Sequence, residues 1–321
     1  MTRRLSVRRE SWKLATRGAP PVEVVVAEIV EGALRGRGEA QPHPLYGETV
    51  DGIVASLEAM SDAVAQGAAP EDLFAAMPPG GARAALDAAL WELGAKSQGK
   101  TVWRLAAIEA PRPLPTAFTL VADGSEAWAR GLAENAARPI LALVLAGGVD
   151  LDLVRAARQA APAAKLIIDA KGSWTAEALE RALPALAELG VQVIEQPLPA
   201  GADDALAALE RVVPIAADAS CRTSADLDAV AGRYDFVTVT LDKAGGLSEA
   251  LRLVRGAVQR GLRVLVGGAI GTSLAAAPAL VAAQEADLVQ LDGPLHLLRD
   301  RQPGLRYDGS TVYPPKPNLW G

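Results

Sequence analysis

From residue 115 onward the chain repeats itself. Eight short β-type runs, TAFTLV, ILALVL, KLIIDA, VQVIEQ, VPIAAD, DFVTVTL, RVLVGG and DLVQLD, recur about every 25 residues, and most intervals hold an Ala/Leu-rich amphipathic stretch such as 176–189 or 248–259. Eight parallel strands with crossover helices are what a (β/α)8-type barrel requires. An open doubly wound sheet would show a Gly-rich nucleotide turn after an early strand, and none is present. The predicted class is α/β. Composition agrees: half the residues are hydrophobic but only 4% are aromatic, so the core is built from Ala, Leu and Val.

The 321 residues exceed one barrel of eight such units. Residues 1–112 follow a different rhythm, with β-like segments to about residue 36 and helical stretches over 49–66 and 81–97, and read as a separate α+β domain. The proline-rich run 110–115 marks the boundary, 113–300 is the barrel, and 301–321 is too rich in turn residues for another unit and is expected to return to the first domain. Stretch 264–284 is uncharged and long enough to span a bilayer, but its glycines and Pro278 make it a strand, turn and helix.

Thirty-two Lys and Arg against 38 Asp and Glu give a net charge of −6 with no basic face, which disfavours nucleic acid and anionic membrane as partners and favours a small molecule. A homo-oligomer is compatible with the sequence. Cys221 is the sole cysteine and there are two histidines, so any metal is expected to be oxygen-ligated. The Arg-rich N-terminus lacks the apolar run of a signal peptide, and a cytoplasmic protein is expected.

In such barrels the C-terminal strand ends face the active site. Three successive runs end in an acid: Asp169, Glu195 and Asp218. Three converging carboxylates repel unless a cation joins them, so a hard divalent ion, Mg²⁺, is expected there; the alternative is that each acid caps a helix or pairs with a neighbouring base. Lys243, after the sixth run in LDKAGG, is a candidate base across the barrel mouth, or else a solvated loop charge. Gly271, Thr272 and Ser273 sit between the seventh run and its helix, where free backbone N–H groups would receive a substrate carboxylate or where the hydroxyls would simply cap the helix.

In order along the barrel, LIIDAKGSW, VIEQPLPAG, IAADASC, TLDKAGGLSEAL, GGAIGTSLAAAPAL and VQLDGPL resemble the enolase superfamily, and within its muconate-lactonizing group the dipeptide epimerases. LYGET at 45–49 and ALDAALWELGAKSQGKTVWRL resemble its capping domain. The resemblance implies a (β/α)7β barrel under a cap, Mg²⁺ on Asp169, Glu195 and Asp218, and a reaction that begins with proton removal α to a carboxylate. It places specificity on the cap rim, for which Arg17, Arg35 and Tyr46 are candidates, and implies that Asp292 contacts substrate.

Several positions depart from the family pattern. The Lys-x-Lys pair of the second strand falls on Ala142 and Val144, which strand alternation turns toward the barrel interior. An Asn two residues after the first ligand is Lys171, a Glu after the third is Ala219, and a lysine often found in the sixth strand is Thr240. The Asp-x-Asp of the eighth strand, which would hold a substrate amino group, reads Gln290-Leu291-Asp292. Two-base epimerisation needs a proton carrier on each face and is not expected. Two functions follow: a metal-dependent enzyme acting on a dipeptide or N-acyl amino acid through Lys243 alone, or a catalytically silent relative that binds a small carboxylate. Lys171, if its strand runs on regularly, points its ammonium among the three carboxylates and replaces or weakens the metal; otherwise it bends to solvent. Cys221, His43 and His296 receive no role, and Trp174 is read as packing.

Overall fold

A computed structural model describes every residue except Met1, Arg17 and Glu109; the rim candidate Arg17 thus lies outside the described residues. The first domain is a three-stranded antiparallel sheet, Arg4–Trp12, Val22–Glu31 and Leu34–Ala40 in that order, followed by helices. Its middle strand is apolar on both sides because both are covered. Val25, Ala27 and Ile29 join Leu57, Leu86 and Leu90 in the cap core, while Val26 faces the larger cluster that continues into the barrel.

The helix expected over 49–66 is broken into Val50–Glu58 and Ser61–Ala65. The break turns Met60 and Val64 into the same apolar cluster as Leu57. Helix Gly81–Ser97 is buried along most of its length because it lies between the cap sheet and the barrel. It runs so close to the third strand that a Cβ on Gly38 would stand 2.1 Å from the Ala85 carbonyl oxygen, a contact only glycine permits.

All eight expected barrel strands are present: Phe118–Val121, Ile140–Val144, Lys165–Asp169, Val191–Glu195, Ile215–Ala217, Phe236–Val239, Arg263–Gly267 and Leu288–Gln290, parallel and adjacent in chain order. Ala117 N donates to Val289 O at 2.8 Å, which nearly closes the barrel between its first and last strands. Alternation divides the side chains. Ala142, Ile167, Val193, Phe236 and Leu265 fill the interior, whereas Leu141, Leu143, Leu166 and Ile168 pack outward under the helices. The connection after the fourth strand contains only a 3-10 turn, Asp204–Ala207.

The stretch 264–284 forms most of the seventh strand, a turn and helix Ser273–Ala282, and among the described residues no helix is long and apolar enough to cross a membrane. The tail pairs first with the barrel approach, Thr311–Val312 lying antiparallel to both Leu114–Pro115 and Tyr307–Asp308. It then reaches the cap, where Trp320 Nε1 donates to Arg37 O at 3.0 Å.

Candidate active site

A cavity of about 240 Å³ lies between the cap and the C-terminal ends of the barrel strands, a little under the usual range for small-molecule sites and so sized for a compact ligand. Asp169, Glu195 and Asp218 all line it. Asp169 and Glu195 are direct partners across adjacent strands, and Asp218 follows the next strand. The loop carrying Asp218 is held by Gln196, whose Oε1 accepts from Asp218 N at 2.8 Å and from Ser220 N at 3.0 Å.

Burial and the charges of Asp169 and Asp218 push the Glu195 carboxyl up to about 8. Burial also raises Asp169, against the opposing charge of Lys171. Burial acts on Asp218 in the same sense, but Lys243 and Lys171 outweigh it and hold that carboxyl below its ordinary value.

The two lysines occupy contrasting positions. Strand three stops at Asp169, and Lys171 takes a left-handed backbone with φ of +51°, so regular strand alternation does not carry its side chain. The turn nevertheless lays its Nζ 2.6 Å from Asp169 Oδ2, with half of the side chain exposed to the cavity (51%). Lys243 is not on a loop but in the short helix Leu241–Ala244, is 0% exposed, and does not line the cavity. Its ammonium donates to Asp218 O at 2.6 Å, Thr238 O at 2.7 Å and Asp218 Oδ1 at 2.9 Å. Three acceptors saturate three donors, which corrects the expectation of a free base at the barrel mouth. Gly245 and Gly246 serve cap docking: Arg83 Nε donates to Gly245 O at 2.9 Å, and Asp87 accepts from Ser248 N at 3.1 Å.

Thr238 and Thr240, rather than Lys243, are the residues that the sixth strand and its end turn to the cavity. Ala142 is interior and fully buried, and Val144 ends its strand opposite Asp169. Ala219 follows Asp218 as a half-buried methyl group. No lysine therefore reaches the cavity from the second or sixth strand.

The remaining sequence candidates are already engaged. Thr272 N and Oγ1 both donate to Glu39, and Ser273 N and Oγ both donate to Asp300. The helix N-terminus expected to receive a substrate carboxylate is filled by two of the protein's own, and a Cβ added at Gly271 would stand 3.3 Å from Glu39 Oε1. Asp292 accepts from Thr119 N at 2.6 Å and pairs with His296 Nε2 at 2.8 Å, and Gln290 Nε2 donates to Thr119 Oγ1 at 3.0 Å. Tyr46 lies under the Arg222 guanidinium at 3.8 Å, outside the cavity lining, and Arg35 pairs with Glu28 on the cap surface at 3.6 Å. Trp174 is buried with Nε1 on Leu145 O, and Cys221 is a buried thiol.

Two lining residues carry no signal in the sequence reading. His43 is held by its backbone N donating to Glu48 Oε2 at 2.8 Å; its Nδ1 is buried without a partner, and burial lowers its pKa so that the ring is neutral at neutral pH. Asp242 lines the cavity beyond Thr238 and Thr240. It does so from the short helix Leu241–Ala244, so strand alternation gives no signal for it.

A divalent cation finds the right donor chemistry here, three hard carboxylates, but not the right arrangement. One ammonium lies on Asp169 and another on Asp218, and among the described residues no three His, Cys, Asp or Glu side chains gather closely enough to hold a metal.

Residues 119–316 match the family of enolase C-terminal domain-like proteins. The L-Ala-D/L-Glu epimerase of Escherichia coli (strain K12) is 37% identical over 319 residues, covering 97% of this chain and 99% of that protein. An enolase family member from Agrobacterium tumefaciens, described as homologous to dipeptide epimerases and solved with sodium and L-Ala-L-Glu, is 43% identical with a TM-score of 0.95, covering 99% of this chain and 100% of that one. The dipeptide epimerase of Methylococcus capsulatus, solved with Mg and L-Arg-D-Lys, is 28% identical with a TM-score of 0.86, covering 100% of this chain and 99% of that one. With the barrel matched by the family model and relatives alike in sequence and fold across nearly the full length, the chain belongs to the dipeptide-epimerase family of the enolase superfamily.

Proposed function

We propose that this chain binds a dipeptide-type ligand in the cap–barrel cavity, with the ligand carboxylate received by the Lys171 ammonium, and does not invert its α-carbon. One observation carries the reading: Lys171 is the only Lys or Arg among the residues lining the cavity. An ammonium half-exposed beside Asp169 retains donors for a carboxylate, whereas Lys243 has none left. Structures of two relatives hold L-Ala-L-Glu and L-Arg-D-Lys, which supports a dipeptide as the ligand class. Inversion requires a proton carrier on each face of a planar intermediate, and Ala142, Val144 and Thr240 cannot carry protons.

The test is calorimetric titration of L-Ala-L-Glu into chelator-stripped protein. The natural chain is expected to bind without added metal, and Lys171→Asn to lose about tenfold in affinity, as for loss of a charged hydrogen-bond partner. Binding that is strictly dependent on Mg²⁺ in the natural chain overturns the proposal. It would favour the second reading, a metal-dependent enzyme acting on one face of the substrate. Glu195 speaks for that reading, since its carboxyl is pushed up to about 8 by burial and by two neighbouring carboxylates. Deuterium uptake from solvent at the ligand α-carbon is expected to be absent under the first reading and present under the second.

A further inference from the structure

Most carboxylates in the cavity already have a cation. Asp169 pairs with Lys171, Asp218 with Lys243 and Glu39 with Arg301. Asp242 has none. Its nearest donor is the backbone N of Gln41 at 3.5 Å, the outer limit of a hydrogen bond. It lines the cavity from the short helix Leu241–Ala244, next to Thr238 and Thr240.

The eighth strand offers no competing acid, because Asp292 is taken by Thr119 and His296 and Gln290 is a neutral amide. Of the five carboxyl groups in the lining three are paired within the protein, which leaves Asp242 and Glu195 to meet a ligand that brings its own positive charge, and Glu195 lies beside the Asp169–Lys171 pair where the ligand carboxylate is received.

We infer that Asp242 receives the ammonium group of the ligand, so that the cavity takes dipeptides with a free amino group in preference to N-acyl amino acids. This rests on the reading that a dipeptide-type ligand occupies the cavity. Burial pushes the Asp242 carboxyl up to about 8, with the charges of Glu39 and Glu48 adding to the effect. A ligand ammonium relieves that cost by pairing with the carboxylate in a site sheltered from water, and the proton of Asp242 is released as it binds.

The experiment compares L-Ala-L-Glu with N-acetyl-L-glutamate by calorimetry in the natural chain, Asp242→Asn and Asp242→Glu, with thermal unfolding of each variant as the check on folding. The natural chain is expected to prefer L-Ala-L-Glu by about tenfold or more. Asp242→Asn should lose that preference while its affinity for N-acetyl-L-glutamate stays the same, and Asp242→Glu should keep part of it. Repeating the titration in buffers of different ionisation heat should show proton release with L-Ala-L-Glu in the natural chain and none in Asp242→Asn. Equal affinity of the natural chain for both ligands overturns the inference and leaves the cavity reading standing, as does an Asn variant that keeps the preference. Failure of both ligands to bind the natural chain overturns the cavity reading and the inference with it.

Discussion

The third and sixth strands both end beside an acid and a lysine, and the two pairs have opposite characters. At the third strand, Lys171 and Asp169 meet at 2.6 Å with half of the lysine exposed to the cavity. At the sixth, Lys243 is wholly buried and spends one proton on Asp218 Oδ1 and the other two on backbone carbonyls. Both would score alike as a lysine next to a carboxylate. What separates them is the number of acceptors each ammonium must satisfy: a lysine with one partner can meet a ligand, and a lysine with three is part of the scaffold.

The largest effect that can break this comparison is on folding. Lys243→Met removes the buried countercharge of Asp218 and leaves the carbonyls of Asp218 and Thr238 without their donor. Urea unfolding is expected to show a loss of about 3–5 kcal/mol, the usual cost of stranding a buried charge. Asp218→Asn in the same chain should restore part of that, because the stranded charge is then gone. A loss below about 1 kcal/mol, the scale of an exposed pair, would mean that Lys243 does not hold the site together.

The contrast also marks where sequence reading stops. The eight strands were legible because a two-residue alternation and a 25-residue period are local properties. The acids at strand ends and the inward turn of Ala142 follow from the same alternation. Lys243 was misread because its acceptors come from two different strand ends, and residue type alone does not count acceptors. Gly271-Thr272-Ser273 looked like an open anion site because the carboxylates that fill it, Glu39 and Asp300, lie 233 and 27 residues away. Gly245 and Gly246, which follow Lys243 in LDKAGG, are required by Arg83 and Asp87 of the cap, which a Cβ at either position would meet at 2.4 Å and 2.6 Å. Lys171 reaches Asp169 through a left-handed turn rather than along a continuing strand. In each case the missing information was a partner distant in sequence or a local break in backbone geometry.

Glu195 sharpens the comparison, because it has no lysine of its own. Its folded carboxyl titrates near 8 against about 4.3 in an unfolded chain, so the folded protein holds this proton more tightly. The stability it contributes is full below about pH 4.3 and is lost as pH rises through 8; raised Asp169 adds in the same direction. Urea unfolding of the metal-free protein between pH 5 and 8 should therefore give a stability that falls with pH. Glu195→Gln should flatten that slope, and an unchanged slope would show that Glu195 is already compensated.

The smallest change in stability is expected at Lys171, and it separates a ligand-binding lysine from a structural one. Lys171 is half open to water and makes one ion pair, with the buried Asp169, whereas Lys243 is wholly buried and satisfies three acceptors, so Lys171→Met should cost clearly less in urea than Lys243→Met. The same change takes the only ammonium out of the cavity wall and leaves Asp169 and Glu195 facing each other across adjacent strands. Mg²⁺ affinity measured by calorimetry should then rise by about tenfold or more, because a divalent ion no longer competes with a tethered cation for Asp169. If Lys171→Met instead unfolds as readily as Lys243→Met and binds Mg²⁺ no better than the natural chain, the two strand ends are alike. Lys171 is then scaffold, and the proposal that it receives the ligand carboxylate falls with the comparison.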